Sequence, residues 1–397
     1  MQPIRRVVCG ISGGVDSGVA ALLLKQKGYE VVGAFMRNWD VTNEVGVCMA
    51  DKEMEDATRV TKTLGIPLKE MNFVKDYWQE VFSEFLSDYE NGLTPNPDIL
   101  CNRHIKFNTF VEHALTTLDA DAVATGHYAR TSFGSYLEDY QEEANVKLLT
   151  AADEVKDQTF FLSQVRQRAL RRAMFPLSDL TKDQVKRIAS EAGMDFLVKK
   201  KESMGICFIG SRDFKKFIRQ YLDAKPGNFV DCDTGEVVGR HAGIHNYTLG
   251  QRCRLGGKPH KYYVARKHVK TREVEVAAGT HHPALYSNSM TTGPAYWIDE
   301  QPPARLRAGG RLDCLFRFQH GKPLVPCTVT RASDDGLDIS LSVPQRALTP
   351  GQYATLYDGR ECLGSARIQH VGPTLHEVTL NRSSSDESRA ALLLCQS

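Results

Sequence analysis

The run RVVCGISGGVDSGVAALLLKQKGYEVVGAFM, Arg6 to Met36, constrains the fold more than any other part of the chain. Its ends are rich in valine and its middle spaces apolar residues as a helix does, with SGGVDS, Ser12 to Ser17, between the first strand and the helix. A strand, a helix and a second strand make the unit of a parallel sheet, and such sheets gather ligands beyond the carboxyl ends of their strands. Paired glycines let the backbone turn tightly and aim bare N–H groups at an anion, and the positive end of the helix dipole adds to them. Ser12 and Ser17 can contribute hydroxyl donors, but the usual closing Gly-Lys-Ser/Thr of a phosphate loop is absent. Asp16 beside a phosphate implies either an intervening magnesium ion or a capping bond to the first helical turn.

Further strand-like runs, PLKEMNF and DADAVATGH, alternate with helical stretches over 51–64, 77–89 and 105–118. The pattern predicts an α/β parallel sheet covered on both faces. DQTFFLSQVRQRALRRAMFPL and TKDQVKRIASEAG both read as amphipathic helices. From about Gly227 the texture changes to short β signals such as REVEVAAG, RLDCLFRFQH, PLVPCTVTRA and GLDISLSV, which predict a small barrel or sandwich. The expected order is a nucleotide-binding α/β domain over 1–210, a small central domain over 211–280, a C-terminal β-barrel over 281–382 and a tail over 383–397.

A net charge of +2 on 397 residues does not announce a polyanion partner, so any nucleic-acid surface must be a local patch. No apolar run is long enough to cross a bilayer, and no membrane partner is expected. Ten irregularly spaced cysteines fit free thiols in a reducing compartment, and without a C-x-x-C pair no structural metal is expected.

Two cysteines stand apart. In TPNPDILCNRHIKF, Thr94 to Phe107, the X-Pro steps forbid helix before Asp98, placing Cys101 in a first helical turn with Arg103, His104 and Lys106. That setting favours thiolate, and Asp98 could cap the helix or pass protons. Cys207, in KKKESMGICFIG, follows three lysines and lies between Gly205 and Gly210 in a loop that can bend. Cys9 falls inside the first strand and is expected to pack.

SGGVDS after a strand resembles the pyrophosphate loop of enzymes that split ATP between its α- and β-phosphates to make an adenylate. GISGGVDS, TPNPDILCNRHIKF, ATGHYAR, KDQTFFLSQV, KKKESMGICFIG, YTLGQR and ALYS together are similar, in order, to the tRNA-specific 2-thiouridylase family. The resemblance implies that ATP with Mg2+ adenylates the C2 oxygen of a wobble uridine and that a persulfide then replaces it with sulfur. It would place ATP on Gly10, Ile11, Ser12, Gly13, Gly14, Val15, Asp16 and Ser17, with Met36 and Gly126. Asn96, Pro97 and Asp98 would meet the target base, Cys101 would be the nucleophile, Cys207 the persulfide carrier and Asp98 a general acid or base. The tRNA contacts carried over are His127, Lys156, Asp157, Gln158, Arg317, Phe318 and Gln352. Phe318 departs from the tyrosine of bacterial relatives, leaving a ring that could stack on a base but no hydroxyl. The implied partners are tRNA, a protein donating persulfide sulfur and a reductant for a Cys101–Cys207 disulfide. FMRNWD, VCMADKEMEDA and KFNTF resemble mitochondrial members, so a mitochondrial location is expected and a cytoplasmic one is the alternative.

Between Arg240 and Arg272 lie nine lysines and arginines, no acid, and Tyr247, Tyr262 and Tyr263. Basic residues with interleaved aromatics suit phosphate contact and base stacking. Two rival readings are an adenylating ligase for a small metabolite, which has no use for the paired cysteines, and a non-catalytic tRNA-binding protein, which has no use for an intact SGGVDS.

Overall fold

A computed structural model describes residues 4–40, 49–200, 208–209, 213–332 and 335–381. The first half contributes β1 (Arg6–Gly10), α1 (Val15–Gln26), β2 (Glu30–Arg37), α2 (Met49–Leu64), β3 (Leu68–Asn72), β4 (Ala122–Ala124), β5 (Arg130–Thr131), β6 (Leu148–Leu149) and β7 (Ala173–Met174). All of these strands except β5 and β6 form one parallel sheet in the order β3-β2-β1-β4-β7. Its centre is dry because β1 and β4 are covered on both faces: Val7, Val8, Cys9, Ala122, Val123 and Ala124 are fully buried. Cys9 packs there as expected, and burial pushes its thiol up to about 12.

The predicted helix over DQTFFLSQVRQRALRRAMFPL is a correction. The structure gives two single turns, Thr159–Leu162 and Gln167–Leu170, and then β7. This segment is enclosed rather than half-exposed, and its polar groups bond across the fold. Ser163 donates to Ser365, and the Gln167 amide donates to the carbonyls of Val146 and Ile298. Those tertiary bonds outweigh a helical period. TKDQVKRIASEAG does form a helix, Lys182–Glu191, begun by a capping box between Thr181 and Gln184.

The central sheet is built from β8 (Gly227–Asp231), β9 (Val237–His241), β10 (Arg252–Cys253), β11 (Tyr262–His268) and β12 (Glu273–Ala278), in the order β10-β11-β12-β8-β9. REVEVAAG therefore belongs here, not with the later strands. Six antiparallel strands follow: β13 (Tyr286–Trp297), β14 (Leu312–Arg317), β15 (Val325–Arg331), β16 (Leu337–Arg346), β17 (Tyr353–Asp358) and β18 (Glu361–Val371). They run β13-β16-β15-β14-β17-β18, and pairing of β13 with β18 closes the barrel. Closure removes free edges, and the interior holds Phe316, Val329, Ile339, Leu356 and Ile368.

The barrel is not a separate bead. The short hairpin β5–β6 extends its sheet by pairing Leu148 and Leu149 with Cys362 and Glu361, and Tyr357 and Cys362 join the core of the first half. This continuity brings the barrel to the carboxyl edge of the parallel sheet. Among the described residues no helix is long and apolar enough to cross a membrane.

Candidate functional site

The loop after β1 folds as its composition demands. Gly13 has φ +70°, and a Cβ there would lie 2.6 Å from the Glu53 carbonyl, so only glycine fits. Gly14 is the N-cap of α1, and no side chain caps that end. Of the two alternatives for Asp16, the capping bond is not made, since its oxygens bond Tyr128 and Lys182, and the first-turn N–H groups stay available to a ligand. Ser17 donates to the Gly14 carbonyl at 3.0 Å and accepts the Ser12 N–H at 3.1 Å; the two hydroxyls lie 3.2 Å apart. Ile11 and Val15 are buried, and Met36 reaches within 3.2 Å of where a Gly10 Cβ would stand.

Asp16 is already neutralised. Both its oxygens lie 2.7 Å from the Lys182 ammonium, and Oδ1 also accepts the Tyr128 hydroxyl at 2.8 Å. Lys182 opens its helix and donates its N–H to Asp153, so the ammonium is delivered from a fixed backbone. Lys200 bonds Asp56 at 2.7 Å and the Gly13 carbonyl at 3.3 Å. Gly126 sits directly on this loop: a Cβ would come 2.6 Å from the Ser17 nitrogen and 2.7 Å from the Asp16 carbonyl carbon.

Asn96, not Asp98, caps the next relevant helix, accepting the Ile99 N–H at 3.3 Å with Pro97 at the first helical position. The helix Pro97–Leu100 continues as a wider π-type turn, Cys101–Thr109, in which Phe107 leaves helical angles at φ −114°, ψ 19°. Cys101 thus lies beyond the first turn, nearly fully buried, which corrects its expected place in a first helical turn. From the barrel, Gln352 donates to the carbonyls of Thr94 and Pro95 at 2.9 and 3.1 Å and accepts from the Asn96 amide at 3.2 Å. It fastens the TPNPD segment in place.

Asp98 is partly exposed at its surface, but burial of its carboxyl raises its pKa while Lys106 and His320 pull it back. His127 is buried beside Phe107, with Nδ1 2.8 Å from the Thr125 hydroxyl; burial first, then Lys106, hold its pKa well below 6.5. The charge of Lys106 therefore acts on both Asp98 and His127, while His127 adjoins the glycine seated on Asp16 and Ser17.

The histidine gives a pH prediction. Its folded pKa is depressed, so the unfolded chain binds its proton first as pH falls; the stability it supports is present above about 6.5 and lost progressively below, by at most about 1.4 kcal/mol per pH unit. His104, His241, His245 and His320 shift in the same direction, chiefly through burial. Urea unfolding between pH 7.5 and 5 is expected to show a shallower acid loss for His127→Asn than for the parent chain.

The remaining candidates divide. Asp157 and Arg317 are both buried and pair at 3.3 Å; Asp157 also accepts from the Thr159 hydroxyl and the Ala151 N–H. Their charges are met internally rather than presented to a polyanion. Gln158 accepts the Tyr128 N–H at 2.9 Å, and Lys156 is half-buried beside it. Phe318 is buried and stacks on Phe316 with centroids 5.9 Å apart, so the expected free stacking face is corrected. It does line a cavity of about 670 Å³ bounded by the barrel, the 245–251 segment and the helices that carry Tyr89 and Lys215, together with Lys322 and Arg346. Cys207 lies outside the described residues.

The basic run is thinned by the fold. Arg252, Arg254, Lys258, Lys261, Lys270 and Arg272 are exposed. Lys267, by contrast, donates to the Tyr247 carbonyl and is pushed down to about 8 by burial. Arg266 pairs with Glu377, and the Tyr262 hydroxyl is spent on Asp231. Lys182, Tyr128 and His320 were not singled out from sequence, and Lys106 was singled out only as a neighbour of Cys101. Lys182 had one usable signal, the capping box that places it at a helix start, but nothing local tied it to Asp16.

With this geometry in hand, comparison with known proteins finds three family models along the chain: "tRNA methyl transferase HUP domain" over residues 5–211, "tRNA methyl transferase PRC-barrel domain" over 215–278 and "Aminomethyltransferase beta-barrel domain" over 287–368. The chain is 52% identical to mitochondrial tRNA-specific 2-thiouridylase 1 of Drosophila melanogaster, covering 93% of this chain and 95% of that one. It is 49% identical to the protein of that name from Homo sapiens over 95% and 93% of the two chains. A tRNA-specific 2-thiouridylase of Geobacillus kaustophilus is 47% identical over 92% and 95%.

Proposed function

The chain belongs to the tRNA-specific 2-thiouridylase family, in its mitochondrial branch, and from that premise we propose that it converts a wobble uridine of tRNA to 2-thiouridine at the expense of ATP. One observation carries the reading at the level of chemistry. Gly126 seats on the backbone of Asp16 and Ser17 while its neighbour His127 lies against Phe107 of the Cys101–Thr109 turn, ring centroids 5.7 Å apart, which supports reading the phosphate loop and the cysteine-bearing helix as borders of one site.

Uridine C2 is a poor electrophile with a poor leaving oxygen. ATP held on the first-turn N–H groups of α1 would receive that oxygen at its α-phosphorus, releasing pyrophosphate and making AMP the leaving group. The bare N–H groups, Ser12 and the glycines suit triphosphate; Asp16 does not suit Mg2+, because Lys182 already holds both carboxylate oxygens. The terminal sulfur of a Cys207 persulfide would attack C2 and expel AMP; Cys101 thiolate would then attack the Cys207 sulfur, break the S–S bond, leave sulfur on C2 and form a Cys101–Cys207 disulfide. In a second version Cys101 cleaves the persulfide first and hydrosulfide attacks C2. Either requires an external persulfide donor and a dithiol reductant. Asp98, with its raised pKa and Lys106 nearby, suits proton transfer at the base.

For tRNA, the exposed arginines and lysines between Arg252 and Arg272 and the cavity lined by Lys215, Lys322 and Arg346 supply positive surface on the central sheet and barrel. Gln352 and Asn96 act by fixing the segment before Cys101; Asp157 and Arg317 by fixing the loop that carries Lys156 and Gln158.

The test is product identity. Unmodified tRNA, ATP, magnesium and a persulfide donor are incubated with the protein, and the digested RNA is read by mass spectrometry. 2-Thiouridine with stoichiometric AMP is expected. A methylated uridine would instead favour the wording of the family models, and pyrophosphate release without a modified base would favour a small-metabolite ligase.

A further inference from the structure

Three side chains capable of binding a transition metal meet outside the residues assigned to the proposed reaction, and a fourth stands beside one of them. Cys232 and Asp233 lie in the turn after β8, His282 precedes the short 3-10 turn Pro283–Leu285 that leads into β13, and His376 lies in helical residues 375–381. His282 Nε2 is 3.1 Å from Asp233 Oδ2, His376 Nε2 is 3.6 Å from Asp233 Oδ1, and Cys232 Sγ is 3.8 Å from Asp233 Oδ1. The ligand atoms of Cys232, Asp233 and His282 all lie within 4.8 Å of one another, and the two imidazoles are 5.4 Å apart between ring centres.

We propose that Cys232, Asp233, His282 and His376 form a binding site for a zinc-class divalent cation that clasps the central sheet to the entry of the barrel and to the helical segment after it. A tetrahedral ion with N and O ligands at about 2.0–2.2 Å and sulfur at about 2.3 Å separates its ligand atoms by roughly 3.3–3.6 Å. The separations from Asp233, 3.1–3.8 Å, bracket that range; Cys232 and His282 stand within 4.8 Å of each other, and His376, beside Asp233 but outside that group of three, would close in as the fourth ligand. Thiolate, carboxylate and two neutral imidazoles balance a dication, and mixed S, N and O donors select zinc over magnesium or calcium. Burial first, then Asp233, Asp231 and Glu275, push the Cys232 thiol up, so a cation there must displace a firmly held proton as it binds. His282 Nδ1 accepts the Ala284 N–H at 3.2 Å, so metal at Nε2 would give up that long cap bond. The loss, on the order of 1 kcal/mol, is small beside the roughly 10 kcal/mol or more of a structural zinc site. No C-x-x-C spacing announces the site because its ligands come from three separate segments.

Cobalt(II) titration of the full chain, stripped of metal and kept under a non-chelating reductant, tests the site. Expected is saturation at a single ion per chain with the intense visible bands of tetrahedral cobalt and a thiolate charge-transfer band. Cys232→Ser should remove the charge-transfer band and His282→Gln should weaken binding at least about tenfold, whereas Cys101→Ser and Cys207→Ser should leave both unchanged. Zinc should raise the thermal midpoint of the parent chain but not of His282→Gln. A parent chain without tetrahedral bands, bands that survive Cys232→Ser, or equal zinc shifts in parent and His282→Gln would overturn the proposal and leave ordinary histidine–aspartate pairs.

Discussion

A Cys101→Ser chain is expected to form 2-thiouridine at least about a thousandfold more slowly than its parent, while still completing a single turnover of ATP-dependent pyrophosphate release. The substitution removes the sulfur that would attack the Cys207 persulfide but leaves the phosphate loop and the Asn96 cap untouched. Cys101 is nearly fully buried, so its hydroxyl replacement should cost only about 1 kcal/mol of stability, which urea unfolding can confirm independently. Rapid-quench measurement of pyrophosphate together with mass spectrometry of the RNA separates the two steps. Thiolation at the parental rate would remove Cys101 from the chemistry, whereas loss of the pyrophosphate burst as well would place it in binding or folding.

The second large effect is expected at Lys182. In Lys182→Met the Asp16 carboxylate keeps only the Tyr128 hydroxyl and faces the position proposed for the ATP phosphates as an uncompensated charge. The Lys182 side chain is 11% exposed and that of Asp16 33%, so the stability cost should be about 1–3 kcal/mol, less than for a fully buried pair. The apparent KM for ATP should rise about a hundredfold, because a repulsive carboxylate replaces a neutral pair beside a triphosphate. Asp16→Asn/Lys182→Met should recover most of the stability and only part of the ATP dependence. Unchanged ATP dependence in Lys182→Met would show that the pair is structural alone.

The parts of the molecule that could be read from sequence are those set by local chemistry. SGGVDS between two valine-rich strands leaves little alternative to a turn into a helix, and the observed β1, α1 and β2 lie where that pattern puts them. The short β runs after Gly227 announced their strands because strand pattern and turn glycines are local. What failed was local inference about enclosed segments. Residues 159–170 carry a helical pattern yet form two turns, because Ser163 and Gln167 find partners on the barrel and on the 145–150 segment. Phe318 and Tyr262 are aromatics of the kind that stack on bases but serve as packing: register turns Tyr262 inward on its strand, and Phe318, just past the end of β14, folds onto Phe316.

By itself, then, the sequence determined the strand–loop–helix that suits a phosphate, the two cysteines that stand apart from the rest and the family to which they belong, since each rests on residue type and spacing within one segment. Only the tertiary structure decided what Asp16 is bonded to, because its partner Lys182 lies 166 residues away. The same holds for Gln352 fastening the segment before Cys101 and for four metal-binding side chains converging from three stretches of chain. Contacts of that range are set by how sheets and barrel pack, and the packing minimises exposed apolar surface without leaving a periodic trace at the residues it brings together.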